Sequence, residues 1–195
     1  MNKRGTLTFI KELARLKDIT RTAWTKEGRQ ESVAEHSWRL AVFVLALEKE
    51  FPDVDCNKAI RMCLIHDLGE AYEGDVSAKV KVDQQKKLET EKKALQALLS
   101  PLPEAVREEF FDLWREYNEG KTKEARLVKA VDKMETILQH NQGRNPSDFD
   151  YAFNLEYGKE YVRDDAVLQS IRTILDQETK ERIRLSKHEP EKPQL

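Results

Sequence analysis

Apolar residues recur along this chain with the three- and four-residue spacing of α-helices, and no stretch alternates regularly enough to predict a β-strand. The pattern therefore predicts an all-α fold. Ser32 followed three residues later by Glu35 forms a capping box at the start of a helix that carries Trp38, and Asp55 suits the N-cap of the next helix. The first predicted helix has an apolar face made of Leu7, Ile10, Leu13 and Leu16.

Proline and glycine mark the helix boundaries in the second half of the chain. Pro101 and Pro103 separate two helices, and Gly120 is expected to end the second of them. The first of the two is predicted to bury Leu88, Leu95, Leu98 and Leu99. A further helix is expected to end near Gly143, and the last one carries Val167, Ile171, Ile174 and Leu175. We expect one domain over residues 1–185 and a charged, disordered tail over 186–195.

Composition narrows the classes of function. The 195 residues suffice for one good core, and the net charge of −2 with 36% charged residues argues against a duplex nucleic-acid binder. The chain starts without a sustained apolar run and contains none long enough to cross a membrane. Cys56 and Cys63 are typical of reduced thiols. We expect a cytoplasmic protein that binds neither nucleic acid nor a membrane.

Four ionisable residues in apolar surroundings suggest a metal site. His66 and Asp67 end an apolar run, His36 lies upstream, and Asp132 lies within a later apolar-periodic segment. Two imidazoles and two carboxylates suit a divalent transition metal. Neighbouring helical residues diverge by about 100°, so we expect the His66–Asp67 pair at a helix end or kink, which Gly69 would make easy to form. Each residue alone has an ordinary explanation as a hydrogen-bonded core histidine or a solvated aspartate, but the combination indicates a hydrolase.

The order of these residues resembles the HD-domain metal-dependent phosphohydrolase superfamily. R-T-A-W at 21–24, E-S-V-A-E-H-S at 31–37 and H-D-L-G-E-A-Y-E-G-D at 66–75 are similar to its branch of 5′-deoxynucleotidases and HD-domain-containing protein 2 relatives. The resemblance implies a single HD-domain helical bundle. It also implies a homodimer, to which an apolar residue such as Phe153 could contribute.

The resemblance further implies one divalent metal ion, either cobalt, manganese or another first-row ion such as zinc, nickel or iron. The implied ligands are His36, His66, Asp67 and Asp132. The implied reaction is hydrolysis of a nucleoside 5′-monophosphate to a nucleoside and phosphate.

Several further residues match functional positions of the family. Glu70 matches the acidic residue that orients or deprotonates the attacking water, and Arg21 matches the arginine that orients the phosphate. Asp75 matches the residue that reads the sugar hydroxyl. The same substrate loop would carry Val76, Ser77 and Ala78.

One position departs from the deoxy-specific members of the family. They carry an aromatic residue directly after the arginine, where it crowds the ribose 2′ position, but here that substrate-site position is Thr22. Either Trp24 fills the same space by another route, or the site leaves room for a 2′-hydroxyl.

Two alternative functions stay open: an HD-fold nucleotide triphosphohydrolase and a non-catalytic, metal-containing nucleotide-binding or sensing protein. The presence of Glu70 and Arg21 argues against the second, because a purely structural metal site needs neither residue.

Overall fold

The all-α fold is confirmed by the computed structural model, which describes residues 2–77, 79, 80 and 83–186. Its helices are α1 Lys3–Glu12, α2 Arg15–Asp18, α3 Val33–Ala46, α4 Cys56–Ile65, α5 Gln84–Leu99, α6 Glu104–Glu119, α7 Lys123–Gln142, α8 Lys159–Val162 and α9 Ala166–Ser186. Short 3-10 turns lie at Glu48–Glu50, Leu68–Glu70 and Tyr151–Leu155. Ala78 and the predicted tail beyond residue 186 lie outside the described residues.

Local side-chain chemistry sets the helix ends as the sequence predicted. The Ser32 hydroxyl accepts a hydrogen bond from the Glu35 N–H, and the Glu35 carboxylate accepts one from the Ser32 N–H, which completes a capping box for α3. The Asp55 carboxylate caps α4. Gly120 ends α6 in the left-handed conformation, with φ of 63°, which costs glycine little because it has no Cβ.

A β-hairpin occupies a region that the sequence analysis left without strands. β1 Thr20–Trp24 pairs in antiparallel fashion with β2 Gln30–Ser32, with a register irregularity between Thr20 and Trp24. A two-stranded hairpin is marginal by itself. Here α7 supports it, because the Gln139 side-chain amide donates to the Trp24 carbonyl oxygen at 2.5 Å. Since this support comes from a distant helix, the local sequence pattern did not reveal it.

Two apolar clusters form the core, and α7 is the central helix of the first. The first cluster joins α3, α4 and α7 with residues of α9, and the second joins α1, α5 and α6 with Val33 and Leu68. On α7 a series of polar side chains is also buried: Asp132, Glu135, Thr136, Gln139, His140 and Asn141. Polar groups in such a position require partners, so this side of α7 is a candidate functional surface.

Several apolar residues of the predicted helices are exposed. Leu7 and Ile10 are 60% and 55% exposed, because the chain breaks between α1 and α2 and buries Phe9 and Leu16. Trp38 on α3 is 65% exposed, and Leu88 and Ile174 also face outward. Within the described residues, no helix is both long and apolar enough to cross a membrane.

Candidate metal and phosphate site

The structure brings the four predicted metal ligands together from three helices. His36 lies in the first turn of α3, His66 and Asp67 directly follow α4, and Asp132 lies in the middle of α7. His36 Nε2 is 3.2 Å from Asp132 Oδ1 and 3.9 Å from Asp67 Oδ2. His66 Nε2 is 3.0 Å from the same Asp67 oxygen. Ligand atoms of His36, His66 and Asp67 therefore lie within 4.8 Å of one another, and Asp132 joins this group through its contact with His36.

The His66–Asp67 pair reaches His36 because α4 ends there. α4 stops at Ile65, and Asp67 has left the helical conformation, with φ of −100° and ψ of 9°. Gly69 was expected to make the end of the helix easy to form. In the structure it instead allows the chain to approach the backbone of α5 closely. A Cβ on Gly69 would lie 2.9 Å from the Glu91 carbonyl oxygen, so a side chain at this position would clash with the backbone of α5.

The hydrogen bonds of the two histidines fit a bound cation. His36 Nδ1 lies 2.5 Å from Glu135 Oε2, and His66 Nδ1 lies 2.8 Å from the Cys63 carbonyl oxygen. These contacts place the proton of a neutral imidazole on Nδ1 and leave the Nε2 lone pair free. Both Nε2 atoms are buried and make no hydrogen bond within the described residues. Buried lone pairs next to two carboxylates suit a divalent metal.

The charges of the cluster are also those of a cation site. Burial acts to raise the pKa of Asp67, but His66 and His36 hold it below its ordinary value. Burial and Arg21 act to lower the pKa of His36, but Glu135 and Asp132 outweigh them and raise it to about 9. A proton on His36 therefore meets the same demand for positive charge that a metal ion would meet.

Asp132 is oriented by two neighbours that the sequence analysis did not identify. The Tyr117 hydroxyl donates to Asp132 Oδ2 at 2.7 Å, and the Lys133 ammonium donates to the same oxygen at 2.8 Å. Because both donors contact Oδ2, Oδ1 is turned toward His36. Lys133 and His36 hold the pKa of Asp132 well below its ordinary value, although burial acts to raise it.

Arg21 projects from β1 into a buried network. Its Nη1 donates to Glu31 Oε2 at 3.1 Å and lies 3.6 Å from Glu135 Oε2, and its Nη2 donates to Thr136 Oγ1 at 3.0 Å. Glu31, His36 and Glu135 also offer ligand atoms close together. The Arg21 guanidinium already supplies positive charge beside the Glu31 and Glu135 carboxylates. We therefore interpret these three residues as an ion-pair network and not as a second metal site. Burial and Glu135 raise the pKa of Glu31 to about 7 against the attraction of Arg21.

Glu70 is a buried carboxyl group in the same cavity as His66, Asp67 and Asp132. Its Oε2 has no hydrogen-bond partner in the described part of the chain. Burial, Asp67 and Asp75 raise its pKa to about 10. A cation placed near Asp67 would favour the ionised form and lower this pKa. The group can thus hold or release a proton according to the charge beside it.

A cavity of about 360 Å³ connects these groups, and its size is typical of small-molecule sites. Thr22 and Ala23 of β1 line this cavity. Trp24 is not part of the described lining, and its ring packs edge-to-face on that of Phe149, with centroids 5.9 Å apart. From the predicted substrate site, the lining includes Arg21, Thr22, Glu70, Asp75, Val76 and Ser77, and it also includes His66, Asp67 and Asp132. Burial and Asp67 raise the pKa of Asp75 above its ordinary value, against the attraction of Arg21.

Helical spacing could have identified part of what the sequence analysis missed. Glu135 and Thr136 follow Asp132 by three and four residues, so an α-helix places all three on one face. Glu31 stands in the same motif as His36, and the structure buries it beside Arg21. Tyr117 carries no such signal, because its contact with Asp132 depends on how α6 packs against α7.

Comparison with known proteins agrees with this geometry. The family model described as HD domain matches residues 13–184. The chain is 40% identical to "5'-deoxynucleotidase HDDC2" of Dictyostelium discoideum, over 68% of this chain and 74% of the relative. It is 32% identical to the human protein of that name, over 71% and 68%. A crystal structure described as a predicted metal-dependent phosphohydrolase from Magnetospirillum magnetotacticum MS-1 superposes with a TM-score of 0.76 at 29% identity, covering 92% of this chain and 93% of the other.

Proposed function

The chain belongs to the HD domain family, and on that premise we propose that it is a metal-dependent phosphohydrolase that converts nucleoside 5′-monophosphates to nucleosides and phosphate. The observation that carries the proposal is the pair of buried, unpartnered Nε2 atoms of His36 and His66, within the described residues, facing Asp67 and Asp132. The names of the relatives, 5′-deoxynucleotidases, support the choice of substrate.

His36, His66, Asp67 and Asp132 would hold one divalent ion, for which we propose cobalt, manganese or another first-row ion such as zinc, nickel or iron. When bound, such an ion lowers the pKa of a coordinated water and polarises a phosphate oxygen. The Nδ1 contacts of both histidines keep their Nε2 lone pairs directed at the ion.

Arg21 would bind and orient the phosphate. A guanidinium offers a planar fork of donors that matches phosphate oxygens. Glu31 and Thr136 fix the orientation of this group before the substrate arrives, so less side-chain entropy is lost on binding.

Glu70 would accept the proton of the attacking water, provided that the positive charge beside Asp67 keeps the carboxyl ionised. Asp75, which lines the cavity together with Val76 and Ser77, would accept a hydrogen bond from a sugar hydroxyl. Thr22 lines the cavity where an aromatic residue would crowd the 2′ position. We therefore propose that ribonucleotides and deoxyribonucleotides are both accepted.

Phosphate release from metal-stripped protein, resupplied with cobalt, manganese, magnesium or zinc, tests the proposal. The substrates are deoxy- and ribonucleoside 5′-monophosphates, with 3′-monophosphates and nucleoside triphosphates as controls. Metal-dependent release from 5′-monophosphates alone is expected. Cleavage restricted to triphosphates would assign a triphosphohydrolase, and metal binding with no release from any substrate would assign the sensing function. A deoxy-to-ribo ratio of kcat/KM above about 100, or nearly 3 kcal/mol of discrimination, would contradict the role given to Thr22.

We also propose that the chain forms a homodimer. Trp38, Val42 and Leu45 lie along one side of α3 and are all exposed, which makes an apolar stripe suited to contact with a second copy. Phe153, which was predicted to contribute to such a contact, lines the cavity, and its part in a dimer stays a prediction. Sedimentation equilibrium of the wild type and of Trp38→Glu tests the surface, since the introduced charge should shift the protein toward monomer.

A further inference from the structure

Three aromatic side chains form one wall of the cavity that also contains the metal and phosphate residues. Phe149, Phe153 and Tyr157, spaced four residues apart, all belong to its lining. The rings of Phe153 and Tyr157 stack, with centroids 5.0 Å apart and planes at 30°. Phe149 and Phe153 belong to neither of the two apolar clusters that the described residues form. Phe149 makes edge contacts with the rings of Trp24, His140 and Tyr151, whereas Phe153 stacks on Tyr157 alone among the described rings. Packing within the protein therefore accounts least for Phe153.

Lysine ammonium groups lie over the same rings. Lys79 Nζ is 5.0 Å from the centroid of Phe149 and 5.3 Å from that of Phe153. Lys133 Nζ is 5.4 Å from the centroid of Tyr157. Lys79 also pairs with Asp150 at 3.5 Å and Lys133 with Asp132 at 2.8 Å, so both ammonium groups already have carboxylate partners. What the wall offers a ligand is therefore its aromatic faces, which suit a flat aromatic ring.

Arg172 holds the backbone of this wall in place. The side chain is buried and donates to the carbonyl oxygens of Tyr157 at 2.6 Å, Asn154 at 2.7 Å and Leu155 at 3.1 Å. These bonds tie the segment to α9, so the positions of Phe153 and Tyr157 do not depend on a bound ligand. A rigid wall reduces the entropy lost on binding.

We propose that Phe149, Phe153 and Tyr157 form the nucleobase subsite, an inference that rests on the proposed nucleotidase function. The phosphate lies at the Arg21 end of the cavity, and the base stacks on the phenylalanine faces that Lys79 now covers. Every base has an aromatic face, so stacking is tolerant of base identity. The subsite therefore favours nucleotides over other phosphomonoesters without selecting one base.

Binding to the metal-stripped full chain, measured by isothermal titration calorimetry, tests the subsite without turnover. The ligands are deoxyadenosine 5′-monophosphate and 2-deoxyribose 5-phosphate, which lacks the base. The wild type is expected to bind the nucleotide about 5- to 100-fold more tightly. Phe153→Ala and Phe149→Ala should reduce this ratio toward one by weakening nucleotide binding. Phe153→Leu keeps the apolar volume but loses the aromatic face, so it serves as the second variant if the alanine variant fails to fold.

Two further variants separate stacking from a general packing effect. Phe153→Trp should restore the preference for the nucleotide, because it restores an aromatic face. Tyr72→Ala is the matched control, since Tyr72 is an exposed aromatic residue that packs with Arg15 and lies outside the described lining. It should leave the ratio unchanged.

Equal affinity of the wild type for the two ligands would overturn the subsite. So would an equal loss of both affinities in Phe153→Leu. If the wild type shows the preference but releases no phosphate with any metal, the proposed function fails and the subsite stands as a nucleotide-binding site.

Discussion

At the scale of single residues, Glu135 joins the two halves of the candidate site. Its fully buried carboxylate contacts His36 Nδ1 at 2.5 Å and lies 3.6 Å from Arg21 Nη1. A carboxylate in this position fixes the tautomer of the histidine and makes it a stronger ligand. The same charge also balances the guanidinium. One side chain thus contacts both His36, a proposed metal ligand, and Arg21, the proposed phosphate ligand.

Glu135→Gln should weaken metal binding about 10- to 100-fold, because the amide keeps a hydrogen bond to His36 but loses the charge. The Kd for manganese, measured by competition with a metal indicator, checks this. Glu31→Gln is the matched control, since Glu31 hydrogen-bonds to Arg21 and not to His36. It should raise KM while changing the metal Kd less than about threefold, or well under 1 kcal/mol. Equal losses of metal affinity in both variants would contradict a specific role for Glu135.

Glu70→Gln should retain the metal but reduce kcat about 100- to 10,000-fold, the range that general base catalysis supplies. Asp132→Ala should lose both metal and activity, because it removes a proposed ligand. Metal content by atomic absorption and initial rates of phosphate release distinguish the two variants. Undiminished hydrolysis by Glu70→Gln would remove Glu70 from the mechanism.

At the scale of elements, the start of α3 controls where His36 lies. The capping box of Ser32 and Glu35 fixes the first turn of α3. His36 follows Glu35 directly, so the cap also fixes the position of His36. Glu35 also pairs with Arg29, whose hydrogen bond, together with those of Ser32, lowers the pKa of Glu35 to about 2 against the effect of burial. The cap is therefore sensitive to acid.

Ser32→Ala should lower the free energy of unfolding by about 1 kcal/mol, as expected for a lost N-cap. Because the pKa of Glu35 is lower in the folded state, its contribution is present above its ordinary value of 4.5 and is lost as the pH falls toward about 2. Urea unfolding at pH 7 and at pH 3 measures both effects. Glu35→Gln should be less stable than the wild type at pH 7 and should lose less stability on acidification, and an equal loss would contradict the pairing.

At the scale of the whole molecule, the candidate site links helices that are distant in sequence. α3, the end of α4 and α7 each supply part of the candidate metal site, and the same three helices share one apolar cluster. A metal ion that binds only the folded chain therefore stabilises the arrangement of all three.

Manganese at 100 times its Kd should stabilise the fold by about 2.7 kcal/mol, which raises Tm by about 5–10 °C for a chain of this size. Differential scanning calorimetry with and without the metal measures the shift. Asp132→Ala should show little or no shift over the same concentrations. A shift of equal size in that variant would indicate that the stabilising ion binds elsewhere.

Helical periodicity and helix caps were readable from the sequence because both depend on neighbours within a few residues. The motif order also sufficed to predict four residues that converge, and their role as metal ligands stays a prediction. The β-hairpin was missed because its support comes from Gln139 on α7. The outward position of Leu7 and Ile10 was missed because the break between α1 and α2 changes which side of the chain is covered.

Spacing and side-chain chemistry are local properties, so the all-α class, the helix caps and the candidate metal ligands could be predicted from the order of the residues. The groups that orient those candidate ligands became visible only in the folded chain. Tyr117 on Asp132, Glu135 on His36, and the aromatic wall held by Arg172 all depend on contacts made through packing. Such contacts depend on how helices pack together, which no periodicity within one helix records.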